Sequence, residues 1–189
     1  EIELISNANS EKIQALLNYG TLCSDGSVII NGEEEKHIGD PTETAIVYAS
    51  YKNGFTKDDL NAKYPRLASI PFDSDRKLMS TVNEIDGKLV VIVKGAFDVM
   101  ALRTVSGDLE TAKRITDEMS SDALRVLAVG YKIIDKVPEN PTSEELENGL
   151  TFMGLVGMID PPREEAKLAV EKWKTAGIKT VMITGDHKI

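Results

Sequence analysis

The sequence predicts an α+β fold, an antiparallel sheet flanked by helices, followed by a C-terminal α/β fragment. Three observations carry this. Asp86-Gly87 separates two β-rich runs, 77–85 and 88–94, a strong hairpin signal. Helical patterns are interspersed with such runs. Near the end, a helical stretch, Gly177 and the apolar run 178–183 form half of a parallel α/β unit. With 189 residues, 41% hydrophobic and 28% charged, the chain has ordinary globular composition and room for one domain plus part of another. The boundary is expected near 155–160, giving domains 1–155 and 156–189.

In chain order, residues 10–19 read as a helix with Ile13, Leu16 and Leu17 on one face. A turn-rich acidic stretch follows at 24–36. Asp40-Pro41-Thr42-Glu43 starts a second helix: Asp40 caps, Pro41 suits the first turn, and Glu43 completes a capping box. That helix runs to about Lys52, before Asn53-Gly54. A short helix is expected at 56–62, strands at 67–72, 77–85 and 88–94, and helices at 97–102 and 109–121. Residues 125–134 and 151–159 read as strands, with a polar loop at 138–149 containing one helical turn. Asp160-Pro161-Pro162 opens a helix carrying Ala166, Ala169, Val170 and Trp173 on one face, and Gly177 stops it.

Charge narrows the function. The net charge of −9 argues against a nucleic-acid surface, so anionic ligands require locally clustered cations. A lone cysteine, Cys23, excludes an internal disulfide and a cysteine-rich zinc site, and reads as a buried structural thiol. No apolar run approaches the roughly 20 residues of a membrane helix, and no signal-peptide pattern opens the chain, so a soluble protein without direct membrane contact is expected.

Neither G-x-x-x-x-G-K-[ST] nor G-x-G-x-x-G occurs, so a nucleotide would be held by a stacked base and scattered cations. Phe72 can stack on a purine, and Lys77 can reach a phosphate as a point charge. Lys94 ends an apolar strand beside Gly95, where a ligand can approach the backbone. Arg125 opens another strand. Asp160-Pro161-Pro162-Arg163 makes a semi-rigid hinge. Thr184-Gly185-Asp186 ends a parallel-type strand, where open α/β sheets bind ligands. Each also has an ordinary structural reading: a core ring before a solvated turn, a snorkelling lysine, a surface arginine, a helix cap, a loop.

Their order is distinctive. Gly39-Asp-Pro-Thr-Glu-Thr-Ala45, Phe72-Asp-Ser-Asp-Arg-Lys-Leu-Met-Ser80, Lys94-Gly-Ala96, Leu124-Arg-Val-Leu-Ala128, Asp160-Pro-Pro-Arg163 and Met182-Ile-Thr-Gly-Asp186 follow one another along nearly the whole chain. The set resembles the cytoplasmic nucleotide-binding domain of P-type cation-transporting ATPases, especially calcium pumps in their bacterial form, with part of the phosphorylation domain. The resemblance implies that Phe72 stacks on adenine, with Lys94 and Gly95 lining the adenine pocket. Glu43 would lie near the adenine amino group beside Thr42, Lys77 near the phosphates, Arg125 on the phosphate chain, and Leu127 by the ribose. Asp160 and Arg163 would belong to the hinge, and Thr184, Gly185 and Asp186 to the phosphorylation domain.

The implied cofactor is ATP, as its Mg2+ complex in the parent pump. The implied partners are the remaining phosphorylation, actuator and membrane domains, with this piece on the cytoplasmic side of the membrane. The Asp-Lys-Thr-Gly-Thr and Gly-Asp-Gly-x-Asn-Asp segments of the family do not occur in this sequence. The expectation is therefore ATP binding without hydrolysis, with the γ-phosphate going to an aspartate elsewhere in the parent. Ser74 stands where the pattern usually has an Arg, Phe97 where it has Pro, and His187 where Asn is commoner. Two alternatives remain at this point: a haloacid-dehalogenase-type phosphatase, suggested by Thr184-Gly185-Asp186, and a non-catalytic interaction module.

Overall fold

The computed structural model describes residues 10–32, 34–160 and 163–181. The chain divides into two compact units, Glu1–Met158 and Ile159–Ile189.

Helix α1 (Ser10–Leu22) precedes a hairpin of β1 (Ser27–Asn31) and β2 (Glu34–Ile38). Helices α2 (Pro41–Lys52) and α3 (Lys57–Lys63) follow, capped by Asp40 and Thr56, whose side chains accept from Thr42 N and Asp59 N. Then come β3 (Arg66–Asp73), β4 (Leu78–Ile85), β5 (Lys88–Gly95), α4 (Phe97–Ala101), β6 (Thr104–Ser106), α5 (Leu109–Ser121), β7 (Arg125–Ile134), α6 (Ser143–Leu146) and β8 (Leu150–Met158). Strands β3 to β8 form a six-stranded sheet in the order β3-β4-β5-β7-β8-β6, antiparallel except for β6 against β8.

The β4–β5 turn confirms the hairpin signal. Asp86 and Gly87 both have positive φ, 49° and 74°, which a two-residue type I′ connection requires. Side-chain alternation then sorts the core onto two faces. Met79, Ile92 and Val129 join Leu22, Cys23 and Leu60 on the front, under α1 and α3. Leu78, Val91, Val93 and Ala128 join Met100, Leu146 and Leu150 on the back, under α4 and α6. Buried on both faces, β5 reads in sequence as the unbroken apolar run Leu-Val-Val-Ile-Val.

The structure differs from the sequence expectation in several places. The stretch expected as turns contains the β1–β2 hairpin; β2 is exposed throughout, so it has no alternating pattern to read. Asn31-Gly32 after Val28-Ile29-Ile30, with Gly32 at φ 66°, is the signal that marks it. The three-residue β6 was also not legible, because its pairing with β8 is long-range.

In the second unit, α7 (Glu164–Thr175) begins after its N-cap Arg163, which has extended backbone, later than Asp160-Pro161-Pro162 suggests. Gly177, at φ 75°, ends it: Gly177 N donates to Lys174 O and Ile178 N to Trp173 O, a Schellman closure. Residues 178–181 carry no strand, since a strand needs a hydrogen-bonded neighbour; 182–183 lie outside the described residues.

Candidate functional site

The front face is organised around Lys94. In β3, Ile70 pairs with Ser80 and Asp73 with Leu78, so Pro71 and Phe72 together oppose Met79 as a bulge. Met79 pairs with Lys94, and Lys94 with Val129. The Phe72 bulge, Met79, Lys94 and Val129 therefore form one cross-strand row. Leu127 and Arg125 lie two and four residues from Val129 on β7, on the same face. Strand spacing puts Lys94 and the bulge about 10 Å apart.

Lys94 is 4% exposed. It does not snorkel: its Nζ donates to Ser24 Oγ at 2.8 Å and Glu43 Oε1 at 2.9 Å. Glu43 Oε2 accepts from Asp25 N and Gly26 N, both at 2.8 Å. This corrects the capping-box expectation. Asp40 does cap α2, but Glu43 is drawn instead to the loop amides and to Lys94, a buried cation that needs a counter-charge.

The loop supplying those amides is itself clamped. Arg66 Nη2 donates to Leu22 O and Ser24 O, Arg66 Nη1 to Asp25 Oδ1, and Lys57 Nζ to Gly26 O. Burial lowers the Lys57 pKa, and the Arg66 charge adds to the effect. A Cβ on Gly26 would lie 3.0 Å from Thr44 Cγ2 and 3.2 Å from Glu43 Cβ, so the loop packs directly on the first turn of α2.

Arg125 Nη1 donates to Thr42 Oγ1 at 3.1 Å, joining the start of β7 to the start of α2. Hydrogen bonds from Thr42 hold the Asp40 carboxyl below its ordinary range, against some desolvation and with help from Arg125.

Lys77 closes the turn after the bulge. Asp73 Oδ1 accepts from Asp75 N and Arg76 N, and Lys77 N donates to Asp73 O at 2.6 Å. Lys77 has φ 56°, unusual for a side-chain-bearing residue. Its carbonyl accepts from Ala96 N, and its Nζ lies 3.7 Å from Asp98 Oδ2 with both side chains exposed. The turn rests on Gly95: a Cβ there would overlap Lys77 O and come within 2.9 Å of Leu78 Cα. Gly95 is thus the close-approach residue of this corner.

The expected residues divide clearly. Thr42, Glu43, Lys94 and Arg125 are joined by direct contacts, and Gly95 packs on Lys77. Leu127 is half-buried on the same face. Phe72 is 61% exposed at the far end of the row. Asp160 and Arg163 are exposed residues of the second unit; Thr184, Gly185 and Asp186 lie outside the described residues. Sequence reasoning missed Ser24, Lys57 and Arg66, whose partners lie 31 to 70 positions away. Cys23 is buried, its Sγ 3.5 Å from Met79 O and Ile92 O, and burial pushes its thiol up to about 11. Among the described residues there is no cluster of metal-ligating side chains, and no helix is long and apolar enough to cross a membrane.

Comparison with known proteins agrees with this architecture. The family described as P-type ATPase, cytoplasmic domain N, matches residues 12–165. Calcium-transporting ATPase 1 of Lactococcus lactis is 44% identical over 187 residues, covering 92% of this chain and 21% of that protein. The calcium-transporting ATPase of Bacillus subtilis is 39% identical over 196 residues, 97% of this chain and 22% of that protein. A probable cation-transporting P-type ATPase of Mycoplasma pneumoniae is 43% identical over 168 residues, 88% of this chain and 18% of that protein. The chain thus spans about a fifth of the length of these curated relatives. With the family matched across most of its length, the chain belongs to the P-type ATPases, as their cytoplasmic domain N.

Proposed function

We propose that this chain binds ATP on the front face and positions it for phosphoryl transfer within a calcium-transporting parent. The observation that carries the reading is the buried Lys94–Glu43 pair, set in one row with an exposed aromatic ring. Adenine stacks on Phe72, an interaction of about 1–3 kcal/mol by analogy with base–aromatic stacking. Glu43, held by two amides and Lys94, accepts from the adenine amino group beside Thr42. Lys94, with two of its three N–H donors partnered among the described residues, and Gly95 line the base site.

Leu127 packs by the ribose, while Arg125 and Lys77 meet the phosphates. ATP arrives as its Mg2+ complex. Ser74 supplies no charge, which leaves the phosphates to those two cations.

Residues 156–189 are assigned to the hinge, with Asp160 and Arg163, and to part of the phosphorylation domain, with Thr184, Gly185 and Asp186. Hinge closure carries the γ-phosphate to an aspartate outside this sequence, so the division of labour is positioning here and chemistry there. The chain alone binds ATP without hydrolysing it, because in-line transfer needs that nucleophile and a metal-neutralised phosphate. The proposed partners are ATP and the other domains of the parent, at the cytoplasmic side of a membrane.

Calorimetric titration with ATP, with and without magnesium, tests the reading. The expected affinity is roughly millimolar to high micromolar, about −4 to −6 kcal/mol. Phe72→Ala and Lys94→Met should each weaken it about tenfold or more with the fold intact. No binding by the unaltered chain at several millimolar ATP overturns the proposal.

A further inference from the structure

Behind the Phe72 bulge, on the opposite face of the sheet, sits a second buried ion cluster. Glu147, the residue that ends α6, has no exposed surface. Its Oε2 lies 3.2 Å from Arg76 Nε and accepts from Arg103 Nη1 at 3.1 Å, and its Oε1 accepts from Ser80 Oγ at 3.1 Å. Arg76 belongs to the 73–77 turn. The same guanidinium that meets Glu147 through Nε also donates from Nη2 to the Pro71 carbonyl at 2.6 Å.

That carbonyl is not an arbitrary acceptor. Pro71 C=O and Phe72 N–H share one planar peptide unit, so fixing the oxygen fixes the plane from which the Phe72 Cα departs. In a bulge the local ladder is interrupted and does not fix that plane by itself. The guanidinium is a rigid planar fork, so its two contacts are geometrically coupled; an ammonium is a point charge and cannot make both in the same relation. A buried Arg–Glu–Arg cluster is also a poor source of net stability, because desolvation offsets its attraction. Its geometry has a more specific use.

We propose that Glu147, acting through Arg76, is a positioning residue that sets the Pro71–Phe72 peptide plane and so the presentation of the Phe72 ring. The functional consequence rests on the nucleotide reading above; the conformational one does not. The brace reaches the base-stacking ring but not Lys94 or Arg125, so its loss weakens base recognition and spares phosphate contacts.

The test uses Arg76→Lys and Glu147→Gln in the full chain, with two readouts. Amide and ring NMR resonances of 71–77 report the bulge without any ligand. Titrations with adenosine, ATP and inorganic tripolyphosphate separate base from phosphate binding. Expected are shifted or broadened Phe72 resonances in both variants, about fivefold weaker adenosine and ATP binding, and unchanged tripolyphosphate binding. Arg76→Lys keeps a cation beside Glu147, so it remains informative if Glu147→Gln unfolds. Phe72 resonances as in the unaltered chain in Arg76→Lys overturn the proposal, as does an equal loss of adenosine and tripolyphosphate binding. If the unaltered chain binds no nucleotide, the function above fails, and the resonances alone decide the brace.

Discussion

The sheet carries a buried ion cluster on each face, and they are built differently. In front, Glu43 is held by two backbone amides as well as by Lys94. Behind, among the described residues, the Glu147 carboxylate is held by side chains: Arg76, Arg103 and Ser80. Removing the front cation leaves its carboxylate two N–H donors. Removing the rear carboxylate takes from two guanidiniums the one anion they share. The front carboxylate therefore keeps donors when its cation is lost, while the rear guanidiniums depend on one shared carboxylate.

The sharpest way to break this comparison is to delete one member from each side. Glu147→Ala should lower unfolding stability by about 3 kcal/mol, in the range for stripping a buried ion cluster of one partner. Lys94→Met should lower it by about 1 kcal/mol, because Met replaces the apolar stem and the amides still serve Glu43. Urea unfolding of both variants checks the order, and a reversed order breaks the contrast.

Acid titration sharpens it next. The Asp40 carboxyl at the front is held below its unfolded value of 3.8, so its stabilisation is present above that pH and disappears as pH falls through the lower folded value. Burial raises Glu147 above 4.5 in spite of Arg76, Ser80 and Arg103, so its contribution is full below 4.5 and is lost as pH rises through the folded value. Asp40→Ala should cost about 1 kcal/mol at pH 6, and that cost should shrink as pH falls below 3.8. The deficit of Glu147→Gln should instead grow as pH falls from 6 to 4. Stability curves with slopes of the same sign contradict the assignment.

The smallest effect is expected at the corner between the faces. Lys77 occupies left-handed backbone that glycine adopts freely, so Lys77→Gly should change stability by at most about 0.5 kcal/mol, on the stabilising side. If Lys77 meets the phosphates as proposed, ATP affinity falls all the same. Thermal melts and titrations on one sample read both.

Local rules made much of this legible. Asp86-Gly87, the Asp40 cap and the Gly177 stop each depend on neighbours within a few positions, and each formed as read. Phe72, Lys77, Lys94 and Arg125 stood out by residue type and order, and the structure sets them on or beside one face. Two things were not legible. Glu43 looked like a capping-box residue because its competitors, the amides of Asp25 and Gly26 and the ammonium of Lys94, arrive from 17 to 51 positions away. Glu147 sat in a polar loop-like segment with nothing to show that tertiary packing would bury it between Arg76 and Arg103.

The bulge in β3 has a consequence for how these molecules behave at high concentration. β3 is the outer strand of the sheet, the place where another chain can add its own strand. Pro71 offers no N–H there, and the extra residue breaks the even spacing an incoming strand needs. The opposite border is only the three residues of β6. An aromatic ring left open to solvent on a regular, unbroken border would invite self-association; here the irregularity that presents Phe72 also denies a neighbouring molecule a template.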